Sequence, residues 1–375
     1  MRVLVNAASV KEGGPLVVLD RLLTHMRELR DNIDWAVAVH PSVRLPRDEE
    51  QVFAQFDVDD FGVLRWYEFG LPAAVQRHKA DVVFSITNYL PLRKLAVPTV
   101  LLVQHAGHFS KRFDDLYRRH VRRPDRIAAW RMKTRWVEWS VRSATEVTVQ
   151  TMVLADAIAA KTTRPRESIH VIAHGPGAVV PKPVASKNLS GRPVRIGYVT
   201  KWGVQKNFGV LFGAVARLIG QGREVRIILT LADGLPENAR VIQQAKTTGL
   251  EGVLENVGEI DAAAISNLYD SLDIFVFPSL VESFGFPLVE AMAKALPIVA
   301  ADTPSNREIA GDAGLYFPPT DAGTFARLLG EVIDNAVLRE AKSAAAFNRA
   351  QDFSWRQAAE QTLALFDTAL SAARK

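Results

Sequence analysis

The chain contains no cysteine in 375 residues. Disulfides, thiolate catalysis and cysteine-bound metal are therefore excluded. It lacks any run near the roughly 20 apolar residues that span a bilayer. Its first residues, MRVLVNAAS, carry a single basic residue and too short an apolar stretch for a secretory signal. They read as a core strand, and a cytoplasmic protein is expected. No short-period repeat, low-complexity tail or three-glycine dinucleotide fingerprint is present. The acidic pairs Asp59-Asp60 and Asp114-Asp115 lie in polar segments, so neither a metal nor any other cofactor is expected. What remains is the composition of a globular enzyme: 48% hydrophobic, 23% charged, net charge +5. The length favours two domains.

Short buried-type strand runs alternate with helical or polar segments along the whole chain. RVLVN (2–6), WAVAV (35–39), DVVFS (81–85), TVLLV (99–103) and EVTVQ (146–150) belong to the first half. IHVIAHGPG (169–177) closes that half. VRIGYVT (194–200), VRIILT (225–230), LENVGEI (254–260), DIFVFPS (273–279), PIVAAD (297–302) and AGLYF (313–317) belong to the second. Such alternation predicts parallel sheets with helices on both faces. Between the halves, residues 179–192 are rich in Pro, Ser and Gly and read as a linker. The expected organisation is a first domain over 1–178, a second over 193–352 and a terminal helix over 353–375.

The most informative stretch is 278–311, PSLVESFGFPLVEAMAKALPIVAADTPSNREIAG. A strand ends, a loop carries Glu282 and Gly285, and a helix opens at Pro287, which suits the first helical position. The amides at such an end lack intrahelical partners and the macrodipole makes it partly positive. An anion, most simply a phosphate, is expected over residues 285–288. Glu282 precedes it and Glu290 follows it. Carboxylates repel phosphate and pair with hydroxyls, so hydroxyl–phosphate–hydroxyl describes a nucleotide-sugar.

Glu282-x7-Glu290 within PSLVESFGFPLVEAMA, followed by PIVAADTPSNREIAGDAGLYF, resembles the signature of the family-4 retaining glycosyltransferases of the GT-B fold. The resemblance implies an α/β protein of two Rossmann-like, doubly wound domains facing across a cleft. It implies transfer of a hexose from a nucleotide diphosphate sugar to an acceptor hydroxyl, with retention and without metal, on a polysaccharide or lipid-linked glycan precursor. By the same resemblance Glu282, His105 and Lys206 are the catalytic candidates. Lys201, Ser283, Phe284, Gly285, Phe286, Pro287, Leu288 and Glu290 hold the donor, Glu290 at the ribose. Lys201 stands where the family commonly has arginine and lacks its bidentate fork. Gly13 and Gly14 lie at the cleft mouth. Base pocket and acceptor stay open, and Asn306, Arg307 and Glu308 either face the cleft or cap a helix. A phosphorylase, a nucleotide-sugar epimerase and a non-catalytic GT-B subunit are the rival readings.

Residues 108–142 hold eleven Lys or Arg against four Asp or Glu, a surplus of seven, with Trp130, Trp136 and Trp139 interleaved. Basic helices bearing tryptophan suit an anionic membrane surface. The expectation is peripheral contact with the inner face of a membrane. Nucleic acid is not expected, because no recognised binding motif accompanies the charge.

Overall fold

The computed structural model describes residues 1–11, 13–40, 43, 54–57, 62–177, 181 and 187–373. Asp59-Asp60 and half of the 179–192 linker lie outside the described residues. The chain forms two compact units. Unit 1 comprises Met1–Lys111, Val121–Gly175 and Ser354–Lys375. Unit 2 comprises Arg112–His120 and Pro176–Phe353, so a short segment from the first half of the sequence groups with the second unit.

Unit 1 is built on a wholly parallel sheet of seven strands. These are β1 (Arg2–Ala7), β2 (Asp34–Val39), β3 (Ala54–Asp57), β4 (Val82–Ser85), β5 (Thr99–Leu102), β6 (Glu146–Val149) and β7 (Ile169–Val171). Their spatial order is β3-β2-β1-β4-β5-β6-β7. Val3, Leu4, Val5, Val82, Val83 and Phe84 are all buried, as strands covered on both faces require. The order reverses between β1 and β4, which opens a crevice at their carboxyl ends. Helix Gly14–Leu29 buries Val18, Leu19, Leu22, Leu23 and Met26, and the C-terminal helix Trp355–Ala373 packs on it and on β4 and β5. Phe366 meets Trp35 and Phe84 edge-on at 6.3 and 5.4 Å, and Asp367 accepts from Arg30 at 2.6 Å.

The three tryptophans of the basic segment do not form a lipid-facing stripe. In helix Pro124–Ser143, Trp136 donates to the Leu90 carbonyl at 2.8 Å and meets the Tyr67 and Tyr89 rings at 5.0 and 4.6 Å. Trp139 packs on the core around Val137 and Val141. Trp130 stacks on His108 at 4.3 Å. Each ring is committed to packing within its own unit, where an aromatic surface contributes most. Arg126, Arg131, Met132, Lys133 and Arg135 are exposed.

Unit 2 carries a six-stranded, again wholly parallel sheet. Its strands are β8 (Val194–Tyr198), β9 (Val225–Leu229), β10 (Leu254–Asn256), β11 (Ile274–Phe277), β12 (Ile298–Ala301) and β13 (Gly314–Phe317). The order is β10-β9-β8-β11-β12-β13, with the reversal between β8 and β11. At the amino ends of these two strands the buried Asp273 accepts from the Arg192 guanidinium and the Arg195 amide. Neighbouring strands are thereby tied at the end opposite the crevice.

Candidate functional site

The loops after β8 and β11 flank the reversal point of unit 2, where open α/β sheets bind ligands. They are tied together by Leu280 N–H donating to the Gln205 carbonyl at 3.0 Å. Lys206 Nζ, from the first loop, donates to Glu282 Oε1, from the second, at 2.6 Å. Ser279 Oγ donates to the same oxygen at 2.5 Å. Both members of the ion pair are only 14% exposed, so either charge alone would carry a large desolvation cost. The backbone that holds them is itself held. Tyr198 OH donates to the Lys206 carbonyl at 3.1 Å. Asn306 Nδ2 donates to the carbonyls of Ser279 at 3.2 Å and Ala301 at 2.9 Å. Burial, and then the Glu282 charge, push the Tyr198 hydroxyl well above its ordinary pKa, so it remains a donor.

Glu282 leads into the helix Phe286–Ala293. Gly285 caps it at φ 91°, left-handed backbone that glycine adopts without penalty. A methyl group on Gly285 would also come within 3.3 Å of the Phe277 ring, whose centroid lies 6.0 Å from Lys206 Nζ. Phe277 thus neighbours both the lysine and the helix start. Phe286 is the first helical residue and Pro287 the second, one position later than expected. The Leu288 and Val289 amides both donate to the Gly285 carbonyl, at 2.9 and 3.3 Å. The anion site expected over 285–288 therefore gains no amide from Pro287, which has none, or from Leu288, which is turned into the helix. Phe284 is buried between the Phe286 and Phe353 rings at 5.1 and 5.6 Å, a packing role. Ser283 is half-buried in the loop.

Glu290 lies one turn into this helix and is 7% exposed. Its Oε2 accepts from Tyr269 OH at 2.8 Å. Lys201 binds Glu259 at 2.8 Å, with both side chains exposed. That hydrogen bond holds the Glu259 carboxyl below its ordinary range. Next to it, the Trp202 ring meets His120 at 4.8 Å.

The remaining candidates belong to unit 1. Gly13, at φ 72°, caps helix Gly14–Leu29 and its carbonyl accepts from the Leu16 and Val17 amides. Asn6, at the end of β1, shapes the approach to this turn by accepting from the Ala8 amide and from Trp66. His105 follows β5, and its Nδ1 accepts from the Gly107 amide at 3.2 Å. A neutral His105 therefore carries its proton on Nε2. Behind it, His108 bonds Thr134 through Nδ1 at 2.9 Å. Burial first, then the charges of His105, Lys161 and Lys133, lower its pKa to about 2.

The sequence pointed to Lys206, Glu282, Gly285 and Glu290, and the structure seats all four at one end of one sheet. It missed Tyr198 and Tyr269, whose hydroxyl partners lie 8 and 21 residues away, and it left Asn306 between facing the cleft and capping a helix. Nothing in linear spacing marks such bonds; only Ser279, three residues before Glu282, carried a local signal. Asn306 braces the site from a buried position, and Arg307 pairs with Asp302 at 2.5 Å. The carbonyl of Glu308 accepts from Arg349. Among the described residues, no group of three or more His, Asp or Glu is arranged to hold a metal ion. No helix among them is long and apolar enough to cross a membrane.

Residues 182–349 match the family model of glycosyl transferases group 1. The O-antigen chain mannosyltransferase B of Escherichia coli is 32% identical over 113 residues, 30% of this chain and 30% of that protein. A phosphatidyl-myo-inositol mannosyltransferase of Mycolicibacterium smegmatis is 30% identical over 174 residues, 46% of this chain and 44% of that protein. The chain thus spans under half the length of these relatives. Among solved structures, Anabaena HepE in complex with UDP-glucose superposes with a TM-score of 0.72 at 18% identity, over 99% of this chain and 100% of that one. The shared architecture is the GT-B fold.

Proposed function

We propose, for a chain whose residues 182–349 match the family model of glycosyl transferases group 1, a retaining hexosyl transfer from a nucleotide diphosphate sugar to an acceptor hydroxyl. The carrying observation is the shielded Lys206–Glu282 pair beside the Gly285 helix start, at the reversal point of the unit 2 sheet. An ammonium has three N–H groups. One is given to Glu282; the others are assigned to the diphosphate. Breaking the bond from the sugar anomeric carbon to the β-phosphate oxygen builds negative charge on the leaving phosphate. Lys206 and the positive helix end oppose that charge where it forms. Ser279 and Lys206 both take Oε1 of Glu282, so its Oε2 is assigned to the sugar hydroxyls. Glu290 is assigned to the ribose.

In unit 1, His105 is assigned to a sugar hydroxyl through Nε2, and Gly13-Gly14 to close backbone approach by the acceptor. Lys201, exposed and paired with Glu259, is assigned a lesser part in diphosphate binding. No metal is required, because the lysine and the helix end supply the positive charge. The relatives include an O-antigen and a phosphatidylinositol mannosyltransferase. A lipid-linked or polysaccharide acceptor is accordingly the first class to try. The exposed cations of helix Pro124–Ser143 would supply contact with an anionic membrane surface.

The test is nucleotide release from GDP-mannose and UDP-glucose, with and without glycolipid acceptors. Acceptor-dependent release with product of unchanged anomeric configuration is expected. Release that depends on inorganic phosphate, or conversion of the donor without release, would replace this reading with a phosphorylase or an epimerase.

A further inference from the structure

Glu290 is hydrogen-bonded on one carboxylate oxygen and closely approached on the other by groups that the proposed chemistry does not use. Tyr269, at the last turn of helix Ala262–Ser271, is wholly buried. Its hydroxyl lies 2.8 Å from Glu290 Oε2 and 3.3 Å from the Pro287 carbonyl. A phenol has one proton, and the shorter, charge-assisted bond to the carboxylate takes it. Burial and the Glu290 charge push the hydroxyl well above its ordinary pKa, so it does not ionise in the working range. On the other side, a methyl group placed on Gly177 would stand 2.2 Å from Glu290 Oε1. The backbone at Gly177 therefore closes directly on that oxygen. Gly177 does not have positive φ, so its glycine is not explained by backbone conformation. Contact with the carboxylate explains it.

We infer that Tyr269 and Gly177 are positioning residues that fix the Glu290 carboxylate in the rotamer that reads the ribose hydroxyls of the donor. The tyrosine fixes Oε2, and the missing side chain at 177 leaves Oε1 its place. A longer side chain at 177 would drive the carboxylate off the position Tyr269 holds. The Gly177 contact brings the first residues of the long segment of unit 2 against Glu290. This inference rests on the assignment of Glu290 to the ribose.

The experiment is calorimetric binding of UDP, GDP and ADP, and of their 2′,3′-dideoxy forms, to the full chain. Wild type is expected to bind one ribonucleotide at least about tenfold better than its dideoxy form, the worth of one charge-assisted bond. In Tyr269→Phe that preference should shrink several-fold while affinity for the dideoxy form stays within about twofold. Gly177→Ala, whose backbone tolerates alanine, should act the same way by displacing Oε1. A purely structural role would lower both affinities together and leave the ratio intact; that result, or an undiminished ratio in both variants, overturns the inference. Equal binding of ribo and dideoxy forms by wild type, or no binding of any, instead removes the ribose assignment on which it stands. Thermal unfolding of each variant shows whether its fold is kept; if Tyr269→Phe loses it, the ratio in Gly177→Ala decides.

Discussion

The chemistry assigned to this protein concentrates on few side chains, and their burial ranks them. Lys206 is shielded and bonded to Glu282, whereas Lys201 is exposed and shares its charge with Glu259. Lys206→Ala should lower kcat/KM by about 100-fold or more, the cost of removing one preorganised charge from a leaving group. Lys201→Ala should cost less than about tenfold, since an exposed pair contributes little. Steady-state kinetics on the two variants decides the ranking; equal losses would reverse it. Ser279→Ala should keep the fold and reduce turnover by a moderate factor, because Glu282 then keeps Lys206 but loses its second donor. The glutamates and Lys206 were legible in sequence because the surrounding pattern is local. Tyr198 and Tyr269 were not, because they reach the site through folding, and the sequence left the role of Asn306 open.

At the level of elements, the strand-and-helix alternation announced both sheets. One strand, Ala54–Asp57, went unread because AQFD has no continuous apolar run. The start of helix Phe286–Ala293 was read one residue late, since the cap is Gly285 and Pro287 occupies the second position. Gly285 is also where a substitution should be most damaging. Alanine there would bear a strained φ and press on Phe277, and Gly285→Ala should lower unfolding free energy by about 1–3 kcal/mol. Chemical denaturation reads this, and an unchanged midpoint would refute the strain. The basic helix Pro124–Ser143 was read from composition as a cationic, tryptophan-bearing face. Composition shows which residues are present but not the side they occupy, and the tryptophans turned inward. The proposed membrane contact would then rest on cations alone. Arg131→Glu with Arg135→Glu should weaken binding to phosphatidylserine vesicles by more than about tenfold, and co-sedimentation that stays constant would remove that role.

At the scale of the whole molecule, two parallel sheets with their reversals between β1 and β4 and between β8 and β11 reproduce the GT-B architecture. Stability of the molecule should depend on acid through its buried imidazoles. Burial lowers His108 to about 2 and His174 to about 3 from 6.5. Below 6.5 the unfolded chain takes up protons that the folded chain does not. Stability should therefore fall as pH drops from about 6.5 towards 3, by at most about 1.4 kcal/mol per pH unit for each histidine. Denaturation curves at several pH values test this, and His108→Gln should flatten the slope by one proton. Activity should survive chelation by EDTA, because Lys206 and the helix end carry the charge assigned to a metal elsewhere. The most direct test of the central assignment is a crystal structure of the protein with bound nucleotide diphosphate sugar. The diphosphate is predicted within hydrogen-bond distance of Lys206 Nζ and over the Gly285 turn, with the ribose at Glu290. A nucleotide seated elsewhere, with the Lys206–Glu282 pair untouched, would contradict the account.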